Sequence, residues 1–312
     1  MISEIALFTL ISLTPAEKGT INNLERRLKK EGHDISEYIN DSRFQIYKPE
    51  KGKKTVNYAD IKQSWYMRPD SIEKCADFIE EYYHNLEVIR AKYEISPEHM
   101  VSQLQLETRL GQYTGEKPLI NSFISIYLNN PRRREEFYRY LKDFLDLFEN
   151  KTDNIILSED IFEIRGSWAG AYGIAQAMPT LIKKYGKDTD GNGDGMFDLM
   201  NMLDAMEFMA RHLCDLGFGK NARATQGYNR GDKFYQSAID KHKLALSEVM
   251  KERSKIPPKK IIYNIKPIIP NIQYPPRTNI QETKIVEVAQ QPAQRQFFIK
   301  RIIQNRRNGR RG

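Results

Sequence analysis

One acidic side chain lies on the apolar face of a predicted helix, which Ser96-Pro97 opens with a capping serine and a first-turn proline. Met100, Leu104 and Glu107 recur at spacings of four and three, which place them on one helical face, and we expect Gly111 to end the helix. Burial raises the pKa of a carboxyl group and holds its proton near neutral pH, where it can be passed to a glycosidic oxygen. A structural glutamate paired with Lys or Arg is the alternative interpretation.

A glycine-rich turn follows, with the sequence GSWAGAYGIAQAMP at residues 166–179. Its glycines allow the backbone to approach a ligand closely. Ser167 and Gln176 supply hydroxyl and amide groups that can bind sugar hydroxyl and acetamido groups. A tight helix-packing seam would explain the glycines but does not require Ser167 and Gln176. The acid and the turn together predict a cleft that binds a glycan.

An acidic loop after the turn has the spacing of a calcium site. The EF-hand pattern fits the loop in two registers, one starting at Asp190 and the other at Asp188. In the first register Gly195 occupies the sixth place, as glycine does in an EF-hand. We prefer the first register. Asn201 then stands where an EF-hand has its last glutamate, and Asp204 can supply that carboxylate instead. An ordinary solvated Asp-Gly turn is the alternative.

The elements around these motifs are predicted to be helices, because apolar residues recur at spacings of three and four and no long alternating segment occurs. The fold class is therefore mainly α. Asp70 or Ser71 can cap the second of these helices. The predicted helices cover residues 16–32, 70–93, the segment opened by Ser96-Pro97, 132–148, 180–185 and 203–216.

Charge is distributed unevenly along the 312 residues. Residues 255–312 hold 13 Lys or Arg and two Glu, a net charge of +11, so residues 1–254 carry −3 out of a total of +8. The same tail contains seven of the 14 prolines, which block helices and sheet ladders. We interpret it as a linker and basic end, either solvated or in contact with an anionic surface such as wall polymer, lipid or nucleic acid.

The N-terminus and the cysteines leave alternatives open. The apolar run at residues 5–13 is too short to span a bilayer, so it is either a signal-peptide core or a buried helical turn. Cys75 and Cys214 both lie in apolar helical patterns, and we expect two core thiols rather than a disulfide.

The motifs occur in the order found in one known family. The segments at 106–115, 130–133 and 166–179, the acidic loop and Tyr228-Asn229 resemble the lytic transglycosylase B family, glycoside hydrolase family 103, over about residues 60 to 240. The resemblance implies a lysozyme-like core beside an accessory helical region. It also implies cleavage between N-acetylmuramic acid and N-acetylglucosamine in peptidoglycan, with a 1,6-anhydromuramoyl product.

The resemblance carries over to individual residues. Glu107 would be the single catalytic acid and then base, and Ser167, Gln176 and Tyr228-Asn229 would face the substrate. One carboxylate suffices where the substrate supplies the second group, so no cofactor is needed for catalysis. Leu110, Ile174-Ala175 and Ala177 depart from the family's more aromatic cleft wall. The family's structural calcium loop would use oxygen ligands from Asp190, Asn192, Asp194, the Met196 carbonyl and Asp204.

The expected organisation follows from these points. We predict a signal segment or helical turn at 1–14, an N-terminal helical region at 15–95, a lysozyme-like core at 96–254 and a tail at 255–312. The substrate implies a periplasmic or envelope location, without a transmembrane helix, and we expect a monomer. A hydrolase of the same fold and a non-catalytic, calcium-stabilised wall-binding protein are the alternative functions.

Overall fold

The structure is a computed structural model, and it describes residues 13–48, 65–149 and 154–255. Helices dominate, which confirms the predicted fold class. In chain order the helices are α1 (Pro15–Lys30), α2 (Ser36–Ile39), α3 (Pro69–Glu81), α4 (Tyr83–Tyr93), α5 (Pro97–Thr108), α6 (Leu119–Asn129), α7 (Arg134–Glu149), α8 (Pro179–Tyr185), α9 (Met202–Asp215), α10 (Ala224–Tyr228) and α11 (Lys233–Lys255). Short 3-10 helices cover Trp65–Met67, Pro131–Arg133 and Gly186–Asp188.

Two short strands complete the described fold. β1 (Lys117–Pro118) pairs antiparallel with β2 (Arg165–Gly166), so that Lys117 lies opposite Gly166. The pairing joins the segment after α5 to the start of the glycine-rich turn. The small sheet therefore brings together two motifs that are far apart in the sequence.

Helix α5 lies at the centre of the fold and carries Glu107. It packs against α3, α4 and α11, and nine of its 12 residues are buried. The single apolar stripe predicted from the sequence understates this burial, because α5 is covered by helices on several sides. Ser96 caps the helix as predicted, with its hydroxyl accepting a hydrogen bond from the His99 backbone N–H at 3.3 Å.

Several predicted boundaries are corrected by the structure. The helix expected over 70–93 is two helices, because Tyr82 has φ −100° and ψ 19° and ends α3. The apolar spacing continues through this break, so the sequence pattern conceals it. Neither Asp70 nor Ser71 caps α3; it starts at Pro69 with Arg68 as its N-cap residue and without a side-chain cap.

The chain start and the two cysteines differ in how well they match the sequence predictions. Thr14 and Glu17 form a capping box at the start of α1, whereas residues 1–12 and the tail after residue 255 lie outside the described residues. Both cysteines are free, as expected. The prediction that both are in the core is wrong for Cys214, which is exposed in the last turn of α9, while Cys75 is buried. The boundary at residue 95 stays a prediction.

Candidate active site

Glu107 lies in the last turn of α5, next to an unusual chain reversal. Arg109 and Leu110 have φ of 52° and 58°, and Gly111 has φ of 86°. The helix therefore ends at Thr108, and the prediction that Gly111 ends it is wrong. Left-handed backbone is costly for residues other than glycine and concentrates at functional sites. The chain turns away immediately after the acid.

The carboxyl group of Glu107 is desolvated. The side chain keeps part of its surface exposed, yet the surrounding helices raise its pKa to about 7 through burial. One hydrogen bond, from the Tyr235 hydroxyl, opposes this shift because it stabilises the charged form. A carboxyl group with this pKa exists in both protonation states near neutral pH, as a group that acts as acid and then as base requires.

Tyr235 is a site residue that the sequence analysis missed. Its hydroxyl donates to Oε1 of Glu107, and no described residue donates a hydrogen bond to Oε2. Oε2 is therefore the oxygen available to a substrate. Tyr235 lies on α11, outside every recognised motif, and only its position seven residues after Tyr228 links it to one of them. No sequence signal pointed to this contact.

Helix α11 is fixed in place by His242, two turns after Tyr235. The ring of His242 stacks on Tyr66, with centroids 4.3 Å apart, and its Nδ1 lies 2.8 Å from the Ser102 hydroxyl. The Tyr66 hydroxyl in turn donates to the Ser102 carbonyl at 2.7 Å. Because Ser102 lies on α5, these bonds set the register between α11 and the helix that carries Glu107.

The glycine-rich turn is tied directly to the end of α5. The Thr108 hydroxyl donates to the Ile174 carbonyl at 3.0 Å, and the Gln176 amide donates to the Thr114 carbonyl at 3.0 Å. The Tyr228 hydroxyl donates to the Ala175 carbonyl at 2.7 Å. The structure thus brings Glu107, the turn and Tyr228 together, as the sequence analysis expected.

The predicted polar residues of the turn also serve its internal structure. The Ser167 hydroxyl accepts a hydrogen bond from the Ala171 backbone N–H at 3.0 Å. Gln176 has φ of 50°, and its amide also bonds the Gly173 carbonyl at 2.9 Å. Both side chains remain partly exposed, as does Asn229. Their roles toward a substrate stay predictions.

Tyr228 lies close to the acid. Burial raises the pKa of its hydroxyl well above the usual value, and the negative charge of Glu107 adds to the shift. Trp168, by contrast, is 67% exposed in the turn, next to Ser167. An exposed indole ring beside a polar turn is a surface on which a sugar ring can lie.

Gly115 and Gly166 are the closest backbone approach at the site. A Cβ atom on Gly115, which has φ of 107°, would lie 2.0 Å from the carbonyl carbon of Gly166. A Cβ atom on Gly166 would lie 2.2 Å from the Ala171 carbonyl oxygen. Gly115 is thus required so that the segment after α5 can contact the turn, and Gly166 so that the turn can fold back on itself.

The acidic loop is folded around two carboxylates. Asp204 is buried, and its oxygens accept hydrogen bonds from three backbone N–H groups, those of Gly191, Asn192 and Asp198, at 2.8 to 3.2 Å. The oxygens of Asp190 likewise accept from the backbone of residues 193–195. Among the described residues, no three His, Cys, Asp or Glu side chains are grouped to hold a metal ion.

The donors of this loop nevertheless fit calcium in their chemistry. Asp190, Asn192, Asp194, Asp204 and the Met196 carbonyl offer only hard oxygen atoms, which calcium prefers. A carboxylate has about four lone-pair positions, so the three bonds accepted by Asp190 and by Asp204 leave room for a cation. No described Lys or Arg forms an ion pair with Asp190, Asp194 or Asp204. Within the described ranges, the only side-chain donor to these three carboxylates is the Asn192 amide, which is neutral and bonds Asp194 at 2.9 Å.

No helix within 13–48, 65–149 and 154–255 is both long and apolar enough to cross a membrane.

Comparison with known proteins places the chain in a sequence family. The model of the transglycosylase SLT domain matches residues 24–264. The membrane-bound lytic murein transglycosylase B of Escherichia coli K12 is 30% identical over 155 residues, which are 50% of this chain and 41% of that protein. The match thus spans less than half the length of that relative.

Solved structures show the same fold at low identity. The Escherichia coli lytic transglycosylase SLT35 in complex with calcium superposes with a TM-score of 0.61 at 18% identity, over 76% of this chain and 94% of that one. SltB1 of Pseudomonas aeruginosa gives a TM-score of 0.59 at 16% identity, over 76% and 99%. SltB3 of the same organism, in complex with NAG-anhNAM-pentapeptide, gives 0.53 at 19% identity, over 66% and 54%. The predicted lysozyme-like fold is confirmed.

Proposed function

The chain belongs to the transglycosylase SLT domain family, and from this premise we propose that it is a lytic transglycosylase that cleaves peptidoglycan strands between N-acetylmuramic acid and N-acetylglucosamine. The observation that carries the proposal is the Glu107 carboxyl group, whose pKa burial raises to about 7 beside a turn that can line a glycan cleft. The relatives named lytic transglycosylases support the same activity.

In the first step protonated Glu107 acts as the general acid. Oε2 faces no hydrogen-bond donor among the described residues, so it is free to carry the proton toward the glycosidic oxygen. Tyr235 holds Oε1 and thereby fixes the plane of the carboxyl group. The proton moves to the leaving oxygen as the bond to the anomeric carbon breaks, and Glu107 is left as a carboxylate.

In the second step the same carboxylate acts as the general base. It removes the proton of the C6 hydroxyl group, whose oxygen attacks the anomeric carbon and closes the 1,6-anhydro ring. The hydrogen bond from Tyr235 stabilises the carboxylate between the two steps. Glu107 is protonated again at the end, so no water and no cofactor is consumed.

The glycine-rich turn and α10 form the proposed cleft wall. Ser167 and Gln176 are partly exposed and orient the turn, and their remaining acceptor oxygens can bind sugar hydroxyl groups. The hydrogen bond from the Tyr228 hydroxyl to the Ala175 carbonyl links the turn to α10, and Asn229, the next residue, would face the substrate with Tyr228. Trp168 adds an exposed ring for stacking.

Calcium is proposed as a structural ion of the acidic loop. Asp190, Asn192, Asp194, Asp204 and the Met196 carbonyl would hold it. Bound there, the ion would neutralise carboxylates that lie together near the start of α9 and contribute stability without chemistry. The substrate places the proposed activity in the periplasm or cell envelope, and glycan strands are the proposed partner.

The mass of the products tests the proposed reaction. The purified chain is incubated with peptidoglycan, and the released muropeptides are separated and weighed. A lytic transglycosylase yields muramoyl ends lighter by one water molecule than the reducing ends that a hydrolase yields. Reducing ends would establish the hydrolase, and the absence of cleavage would favour a wall-binding protein.

A further inference from the structure

The chain just after α10 reverses its direction at two residues with left-handed backbone. Arg230 has φ of 52° and Gly231 has φ of 83°. Left-handed backbone is costly for a residue other than glycine, so it persists only where surrounding contacts hold it. The Gly231 backbone N–H closes the reversal by donating to the Gln226 carbonyl at 2.7 Å. The reversal directly follows Asn229, the partly exposed residue that would face the glycan.

Asn229 lies between two anchored residues. On one side, the Tyr228 hydroxyl donates to the Ala175 carbonyl of the glycine-rich turn at 2.7 Å. On the other side, the Arg230 guanidinium group donates to Oε1 of Glu136 at 2.6 Å, across 94 positions in the sequence. The position of Asn229 therefore depends on both contacts, one to the turn and one to α7.

Glu136 receives two further donors besides Arg230. The Tyr140 hydroxyl donates to its Oε1 at 2.9 Å, and Nε of Arg133 donates to its Oε2 at 2.9 Å. The hydrogen bonds from Arg133 keep the pKa of Glu136 below its usual value, so the carboxyl group is charged near neutral pH. An isolated exposed ion pair contributes little, whereas a carboxylate held by several donors forms a network with a fixed geometry.

Helix α7 supports both parts of the proposed cleft wall. The Thr180 hydroxyl, at the start of α8 and directly after the turn, donates to the Asp143 carboxylate on α7 at 2.7 Å. Glu136 holds the chain after α10 from a position seven residues earlier on the same helix. Seven residues are about two helical turns, so the two carboxylates lie on one face of α7. That face thus supports the turn and the chain after α10 together.

We propose that Glu136 is a positioning residue for glycan binding: through Arg230 it fixes the chain after α10, so that Asn229 meets the glycan in one orientation. The proposal rests on the proposed function, because the orientation of Asn229 matters only if a glycan lies there. Glu136 takes no part in bond cleavage, so its loss weakens the binding of substrate and transition state alike. The expected result is a higher KM with little change in kcat.

A double-mutant cycle tests the coupling of the two residues. KM and kcat for soluble glycan strands prepared from purified peptidoglycan are measured for the parent protein, Glu136→Gln, Arg230→Gln and the variant that combines both. Each single substitution should raise KM about fivefold, which corresponds to about 1 kcal/mol, and should leave kcat nearly unchanged. The combined variant should raise KM no further, because the two residues form one contact.

Glu135→Gln is the matched control. Glu135 is the neighbouring residue on α7 and pairs with Arg27 of α1 at 2.7 Å, so this substitution removes the same kind of contact from the same helix. It should keep the KM of the parent. The proposal is overturned if Glu136→Gln keeps the parent KM, if the two single effects multiply in the combined variant, or if Glu135→Gln raises KM equally.

Two further measurements separate this proposal from the proposed function. If the parent binds glycan strands without cleaving them, the proposed function fails and the Kd of the strands replaces KM in the same cycle. If the parent neither binds nor cleaves them, both proposals fail. Amide hydrogen exchange at Gly231 reports the anchor directly: it should be faster in Glu136→Gln than in the parent and unchanged in Glu135→Gln. Equal exchange at Gly231 in all three proteins would show that Glu136 does not hold the chain there.

Discussion

The hydroxyl group of Tyr235 donates a hydrogen bond to Oε1 of Glu107, although the two residues are 128 positions apart in the sequence. The bond favours the charged carboxylate, whereas burial favours the neutral acid, and burial is the stronger effect because the pKa rises to about 7. Two helices, α5 and α11, thus determine the proton affinity of one side chain. His242 holds these helices in register through Ser102.

Glu107→Gln should abolish turnover while the fold and glycan binding persist. The amide keeps the shape of the side chain and an oxygen that can accept the bond from Tyr235, but it has no proton to transfer. A general acid typically contributes a factor of about 10² to 10⁴, so kcat should fall by at least about a hundredfold. Muropeptide release from purified peptidoglycan is the measurement. Glu98→Gln, in the first turn of the same helix, is the matched control, and a kcat within tenfold of the parent rejects Glu107 as the acid.

Tyr235→Phe should move the alkaline limb of the pH profile to higher pH. Because the lost hydrogen bond favours the carboxylate, its removal raises the pKa of Glu107 further above about 7, and the acid stays protonated to higher pH. The profile of kcat/KM against pH reports this pKa in the free enzyme. Tyr93→Phe removes the same kind of bond, from Tyr93 to Glu207 at 2.7 Å, and should leave the limb in place. A limb that stays fixed, or moves to lower pH, contradicts the assignment.

Local spacing allowed most of α5 to be predicted and failed at its end. The cap at Ser96 and the apolar residues before Glu107 follow from rules that act within one or two turns, and the structure confirms them. The reversal at Arg109 and Leu110 does not follow from such local rules. Residues other than glycine rarely adopt φ near 55°, and no neighbouring residue in the sequence requires this backbone conformation here. The bond from Thr108 to Ile174, across 66 positions, holds the reversal in place.

The missed half of the site depends on contacts between distant segments. Tyr235 belongs to α11, which the sequence analysis did not identify, and its role comes only from the packing of α11 on α5. Ser167 and Gln176 were predicted as polar groups for a ligand, and the structure adds that they also hold the turn together. A sequence pattern shows which polar groups a turn carries but not which of them its own backbone already uses.

Gly115→Ala should destabilise the protein and loosen the turn from α5. The new Cβ atom would lie 2.0 Å from backbone of Gly166, so no change of side-chain rotamer can relieve the clash. Overpacking should lower the free energy of unfolding by about 1–3 kcal/mol, and the strain of an alanine in left-handed backbone should lower it by about 1–2 kcal/mol more.

Gly32→Ala is the control, because Gly32 has φ of 95° and no atom within 4 Å of the added Cβ, so it should show the strain alone. Chemical denaturation measures both variants. Equal losses in the free energy of unfolding would show that the contact between Gly115 and Gly166 is not tight in solution.

Calcium should raise the melting temperature through the loop that begins at Asp190. The carboxylates of Asp190, Asp194 and Asp204 lie in one loop without a described Lys or Arg partner, and a cation relieves their mutual repulsion. A ligand that binds only the folded state contributes roughly 2.7 kcal/mol at a hundredfold excess over its dissociation constant.

Thermal unfolding is followed in millimolar calcium and in chelator. Magnesium is a smaller ion that demands stricter octahedral geometry, so it should raise the melting temperature less than calcium does. Asp194→Ala should abolish the difference, whereas Asp188→Asn should keep it if the loop starts at Asp190 and lose it if the loop starts at Asp188. Identical melting temperatures with calcium and with chelator would mean that the hydrogen bonds of Asp190 and Asp204 to the loop backbone suffice to fold it.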